Sequence, residues 1–203
     1  MGRLVLANLL LGTGSGTRAR LLVRDLFTDS SGTALIAHTP NWDPSGAGWV
    51  QGIGTWDIEA NRTEFASGSP GVNNVLINSE STRSRLECDI FTGTKDYSGF
   101  IVRAGSSQSN IEILLRRAEA DVQIGSNDGG SRASISTGGS VLANTAYAVR
   151  IDITTATIEV SLDGSTQVSA STNFNQTQPN IGLFAWDDGT SGGYWDNLVI
   201  TPL

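Results

Sequence analysis

The sequence predicts an all-β fold: a two-sheet antiparallel jelly-roll sandwich with a short N-terminal arm. Three observations predict it. Apolar residues recur with period two along most of the chain. The 24 glycines are scattered between those runs without a period of their own. No window carries apolar residues at i, i+3 and i+4 with helix caps at its ends. A pleated strand turns successive side chains to opposite faces, so a period of two marks a strand with one face on a core. Scattered glycine marks turns between short strands.

The clearest run is 146–162. Tyr147, Val149, Ile151 and Ile153 alternate with Ala148, Arg150 and Asp152. After Thr154-Thr155, Ile158, Val160 and Leu162 alternate with Glu159 and Ser161, so the stretch predicts a hairpin. Further runs are 20–27, 54–60, 74–77, 83–92, 99–104, 110–118, 121–124, 180–186 and 194–201. Turn signals such as Ser30-Ser31-Gly32, Gly105-Ser106, Asn127-Asp128-Gly129-Gly130 and Gly138-Gly139 separate them. Residues 111–120 come nearest to a helix, yet Ile111 and Ile113 stand at strand spacing. About a dozen short strands in one domain, residues 20–203, suggest two packed sheets. Trp42, Trp49 and Trp56 cluster early and Phe184, Trp186, Tyr194 and Trp195 late, as expected if the first and last strands meet.

Residues 1–19 read as the arm and its hinge: MGRLVLANLLL followed by GTGSGT. Leu4, Val5, Leu6, Leu9, Leu10 and Leu11 give it an apolar face, but the run is far short of the ~20 residues that span a bilayer. Arg3 before an apolar run looks like the start of a signal peptide, and no small-x-small site closes it. The arm is expected to pack as an assembly element, on its own sandwich or on a neighbouring copy. The net charge of −7 gives no basic footprint for nucleic acid and disfavours anionic membranes. Cys88 is the single cysteine and His38 the single histidine, which excludes an intramolecular disulfide and the usual zinc sites. Between Leu86 and Ile90, Cys88 reads as a core residue.

Residues 25–38 read DLFTDSSGTALIAH. Gly54-Thr55-Trp56, Asp57-Ile58-Glu59 and Asn61-Arg62 follow, and the chain closes with Tyr194-Trp195-Asp196-Asn197-Leu198-Val199-Ile200. This layout resembles the concanavalin A-like lectin and glucanase superfamily, in its laminin-G-like form. The opening is similar to that of many bacteriophage structural proteins. The resemblance implies a jelly roll and leaves function open, because the fold hosts lectins, hydrolases and scaffolding parts alike. Without the resemblance, Phe27 and Trp56 are still large enough to anchor a core, and Gly32 and Gly54 stand where strands must end.

Glucanases of this superfamily carry Glu-x-Asp-x-Glu or Glu-x-Asp-x-x-Glu on one strand. Glu87-Cys88-Asp89 begins that pattern, but its third position holds Phe91 or Thr92. Two carboxyls about 5 Å apart are needed for retaining hydrolysis, so no enzyme activity is expected, and Glu112 is no more than a conceivable relocated acid. His38 has no nucleophile elbow near it and reads as a turn hydrogen bond. No cofactor is required. Calcium is the ion that Asp25 and Asp196 would suit if the first and last strands pair. Trp42 with Asn41 and Asp43, and Trp186 with Asp187 and Asp188, are the aromatic residues flanked by hydrogen-bonding groups that a sugar platform needs. The expected role is a virion structural protein on a capsid or tail surface, with copies of itself and other virion proteins as partners. A carbohydrate-binding, lectin-like module with a host-surface glycan as partner is the alternative, and a glycoside hydrolase the third reading.

Overall fold

The computed structural model describes residues 20–68, 71–94, 96–187 and 193–203. The assembly arm with Leu4, Val5, Leu6, Leu9, Leu10 and Leu11 lies outside the described residues, as does Asp188. The strands are β1 Val23–Asp25, β2 Thr33–Ala34, β3 Trp49–Ile53, β4 Thr55–Ile58, β5 Thr63–Ser67, β6 Gly71–Asn78, β7 Ser84–Phe91 and β8 Tyr97–Ser106. They continue as β9 Ser109–Arg116, β10 Asp121–Asp128, β11 Ser131–Gly138, β12 Ala146–Ile153, β13 Thr157–Leu162, β14 Ser165–Ser171, β15 Asn180–Asp187 and β16 Tyr194–Pro202. One 3-10 turn, Leu35–Ala37, follows β2.

The strands form two antiparallel sheets. One runs β14-β13-β12-β7-β16-β5-β4-β2, with β1 added on β16, and the other runs β11-β10-β9-β8-β15-β6-β3. The first and last strands do meet, with Val23 opposite Ile200 and Asp25 opposite Leu198. Between the sheets lies the main core, which takes alternate residues from each strand: Leu86, Cys88 and Ile90 from β7, Ile111, Ile113 and Leu115 from β9, Leu198 and Ile200 from β16. Cys88 is buried there as expected, and burial pushes its thiol pKa well up. Gly32 and Gly54 have φ of 83° and 79°, the left-handed region that glycine tolerates.

Every periodic run of the sequence became a strand. Five strands went unannounced: β2, β3, β5, β11 and β14. Of these, β2, β3, β11 and β14 end their sheets. A terminal strand packs less of its surface, and β11 (SRASISTG) is exposed along most of its length, so period-two alternation has little to act on.

The two sheets differ on their outer faces. On the seven-stranded sheet a second apolar cluster, Leu76, Ile101, Ala104, Leu114 and Phe184, lies on the side away from the main core, with Val72, Tyr97 and Trp186 packed against it. The nine-stranded sheet has a solvated outer face carrying Arg24, Glu87, Asp89, Arg150 and Asp152. There Arg85 Nε and Nη2 donate to the Asp152 carboxylate at 2.6 and 3.0 Å, and Arg150 donates to it as well. Burial raises the Asp152 pKa, but the two guanidiniums outweigh it and hold the pKa at about 2. A carboxylate with a depressed folded pKa stabilises the fold above its unfolded pKa, and that contribution is lost as pH falls through the folded value. Asp152→Asn is therefore expected to lower the urea midpoint at pH 7, with the difference from wild type closing between about pH 4 and pH 2. A midpoint difference that stays constant across that window would contradict the assignment.

Candidate functional site

The chain between β1 and β3 is organised by one buried carboxylate. Asp25 is fully buried. Its Oδ1 accepts from the backbone N–H of Phe27 at 2.8 Å and lies 2.8 Å from Nε2 of His38. Its Oδ2 accepts from Nε1 of Trp49, also at 2.8 Å. His38, itself buried, turns its other ring nitrogen toward Asp29 Oδ2 at 3.4 Å. The Ser30 N–H and then His38 lower the pKa of Asp29. His38 thus makes a hydrogen bond as the sequence suggested, but to a strand residue in the core as well as within its loop.

Trp42 sits on the outer side of this assembly. Its backbone exchanges two 2.9 Å hydrogen bonds with Arg24, forming an antiparallel bridge, and its indole N–H donates to the carbonyl of Leu21 at 3.1 Å. The ring is held by both backbone and side chain, yet the residue is 51% exposed. Its expected flanking groups are committed elsewhere. Asn41 Oδ1 accepts from Leu26 N, and the Asp43 carboxylate accepts from Ser45 and from Gly48 N. A depression of about 230 Å³ adjoins the next residue, Asp43, and is lined by residues 36–40, Asp43 and Gly46–Gly48.

Trp186 occupies a different environment. It lies on the outer face of the seven-stranded sheet, half-buried, with the Tyr97 ring edge-on at 5.7 Å and the Arg132 guanidinium 5.9 Å from its centroid. It packs on the second apolar cluster. On the same face Glu112 is 2% exposed, bonded to Nε of Arg132 and to Nδ2 of Asn127 at 3.0 Å. The two sugar-platform candidates are therefore on opposite sheets. Trp42 is presented to solvent, whereas Trp186 covers apolar side chains.

The carboxylates weighed from the sequence, Glu87, Asp89 and Glu112, do not share one face. Glu87 and Asp89 flank the core residue Cys88 and so point out of the nine-stranded sheet, while Glu112 points out of the other. Sheets pack about 10 Å apart, so the core separates them by more than hydrolysis allows. Asp25 and Asp196 lie on paired strands but on opposite faces: Asp25 is inside, whereas Asp196 stands beside the core residue Trp195 and is the register partner of Asp89. Burial raises the Asp196 pKa, and its Oδ1 accepts from Asn197 N at 2.7 Å. Among the described residues no three His, Cys, Asp or Glu side chains are grouped to hold a metal ion. The strand pairing that would unite Asp25 and Asp196 is present, but it separates their side chains. What the sequence could not supply was the neighbour of Trp42: Arg24 is 18 positions away in the chain (42 − 24), and only the bridge joins them.

The sequence matches no family model, and no curated protein matches it significantly. Its fold is shared by solved structures. The carbohydrate binding module CBM66 from Bacillus subtilis aligns at 15% identity with a TM-score of 0.61, over 75% of this chain and 94% of that one. The β-glucanase of Bacillus licheniformis aligns at 13% and 0.55, over 89% and 97%. Domain 4 of AbnA, an extracellular GH43 arabinanase from Geobacillus stearothermophilus solved in complex with arabinotriose, aligns at 9% and 0.56, over 91% and 93%. The fold is thus a concanavalin A-like jelly-roll sandwich.

Replacing Asp25 with Asn leaves an amide with a single acceptor oxygen facing three donors. The expected cost is about 3 kcal/mol, the range for breaking a buried charged hydrogen-bond network. Urea unfolding of Asp25→Asn at pH 7 measures it. An unchanged midpoint would show that Asp25 does not organise this end of the sandwich.

Proposed function

We propose that the chain is a carbohydrate-binding module that holds a glycan through Trp42, without turnover. One observation carries the reading. A large indole, fixed by its N–H and by a backbone bridge, is left half exposed on a domain that buries Trp49, Trp56 and Trp195. Those three fill the core, whereas the Trp42 ring is fixed in place without being enclosed. A rigid exposed ring instead offers an apolar face for the C–H face of a sugar at little entropic cost. The likeness to a carbohydrate binding module and to an arabinanase domain solved with arabinotriose supports the same reading. The virion setting expected from residues 25–38 and the apolar arm gains no support from those likenesses, so carbohydrate binding becomes the leading function.

Affinity electrophoresis or a glycan array tests the proposal. Wild-type protein is expected to be retained by at least one polysaccharide, and Trp42→Ala to weaken that retention about tenfold or more, ~1.4 kcal/mol. Trp186→Ala is expected to lower stability by about 2 kcal/mol through the second cluster and to leave the affinity of the folded protein unchanged. If folded Trp186→Ala loses binding and Trp42→Ala keeps it, the site lies on the seven-stranded sheet and the assignment is wrong. Failure of the wild-type protein to bind any glycan would reject the function.

A further inference from the structure

We infer that the glycan bound at Trp42 carries a carboxylate, a uronic acid unit, on the sugar next to the indole, and that Arg24 holds it. The inference rests on the carbohydrate-binding reading and deepens it by naming the ligand's charge.

Residues directly opposed in an antiparallel bridge project to the same side, with Cβ atoms about 5 Å apart. Arg24 and Trp42 are such a pair. Both are exposed, and Arg24 stands between the buried residues Val23 and Asp25, so its side chain leaves the outer face of the nine-stranded sheet. Most arginines of the described chain are occupied. Arg85, Arg116, Arg132 and Arg150 pair with carboxylates within 3.0 Å. Arg62 lies over the Tyr194 ring at 4.0 Å, and Arg103 donates to the carbonyls of Thr154, Thr155, Thr172 and Phe174. Among the described residues Arg24 has no ion pair. Arg62, Arg83 and Arg103 have none either, but Arg62 covers the Tyr194 ring and Arg103 is spent on carbonyls, which leaves Arg24 and Arg83, the latter in the turn before β7. A planar guanidinium beside a sugar-sized aromatic face is matched to a sugar carboxylate, which it can bind with two parallel hydrogen bonds.

The register also says where along the glycan the charge must be. The outer-face row continues from Arg24 to Val199 on β16 and then to Glu87 on β7. Strands stand about 4.8 Å apart, so Glu87 lies roughly 10 Å from Arg24, about the length of two sugar units. Asp89 is exposed on the same strand, two residues on. A second anionic unit beyond Val199 would meet these carboxylates. The expected ligand is therefore acidic at the unit on Trp42 and neutral over Val199 and Glu87. The overall charge of −7 does not oppose this, because exposed charges more than about 8–10 Å away are largely screened at physiological ionic strength.

Isothermal titration with three probes tests the inference: a xylo-oligosaccharide bearing one glucuronate branch, the unbranched oligosaccharide, and the branched one as its methyl ester. Wild-type protein is expected to bind the free acid about tenfold more tightly than either neutral probe, with the advantage shrinking as salt rises. Arg24→Gln is expected to remove that advantage, so that it binds the acid and the neutral probes alike, and Arg24→Lys to restore part of it. Thermal melting checks that both variants fold. If the three probes bind wild-type protein equally, or if Arg24→Gln retains the preference for the acid, the inference is overturned while carbohydrate binding stands. If no probe binds and wild-type protein is also retained by no other glycan, the carbohydrate-binding reading fails first.

Discussion

The Asp25 carboxylate is the constraint on which this end of the sandwich depends. A carboxylate taken into an apolar interior loses its hydration, and only hydrogen bonds to the charged form can offset that loss. Here Phe27 N–H, Trp49 Nε1 and His38 Nε2 converge on it. Each contact fixes a separate piece of chain. The Phe27 contact accompanies a φ of 49°, a left-handed conformation that costs a phenylalanine on the order of 1–2 kcal/mol and turns the chain out of β1. The Trp49 contact ties the start of β3 to the opposite sheet. The His38 contact anchors the loop that carries Trp42. Because a strand alternates, holding Asp25 inside also obliges Arg24 to face outward. The exposed pair Arg24 and Trp42 is thus the outer consequence of an inner hydrogen-bond cluster.

The two sheets divide the chemistry of the surface between them. The seven-stranded sheet carries a second apolar cluster and places Trp186, Tyr97 and Arg132 on it, so its aromatic residues are engaged in packing. The nine-stranded sheet keeps charged residues in rows, where Arg85 reaches Asp152 across strands and Arg150 reaches it along β12. Against that background an exposed indole and a cation without a carboxylate partner stand out because they sit side by side.

Much of the fold was legible because burial writes itself into the sequence. Runs such as Tyr147-Ala148-Val149-Arg150-Ile151 alternate because one face meets the core. The strands that were missed lie mostly at sheet ends, where SRASISTG and STQVSAS have little core to face. The candidate site was half legible. Trp42 could be singled out by composition, but its exposure depends on tertiary packing, and the same residue type fills the core at Trp56 and Trp195. The Asp-x-Phe opening was visible as a pattern, and its reason was not: one hydrogen bond joins residues two apart, while its partners His38 and Trp49 lie 13 and 24 positions away. Asp25 and Asp196 were expected together because their strands pair. They separate because alternation, combined with the register shift between Asp196 and Val199, sends them to opposite faces.

The central claim is that recognition belongs to the outer face of the nine-stranded sheet at Trp42. Chemical-shift mapping of the ¹⁵N-labelled protein with a bound oligosaccharide tests it most directly. The account predicts that the Trp42 indole N–H and the backbone amides of Arg24, Val199 and Glu87 shift together, while Tyr97, Arg132 and Trp186 stay in place. Shifts concentrated on Tyr97, Arg132 and Trp186, with the Trp42 indole unmoved, would contradict it.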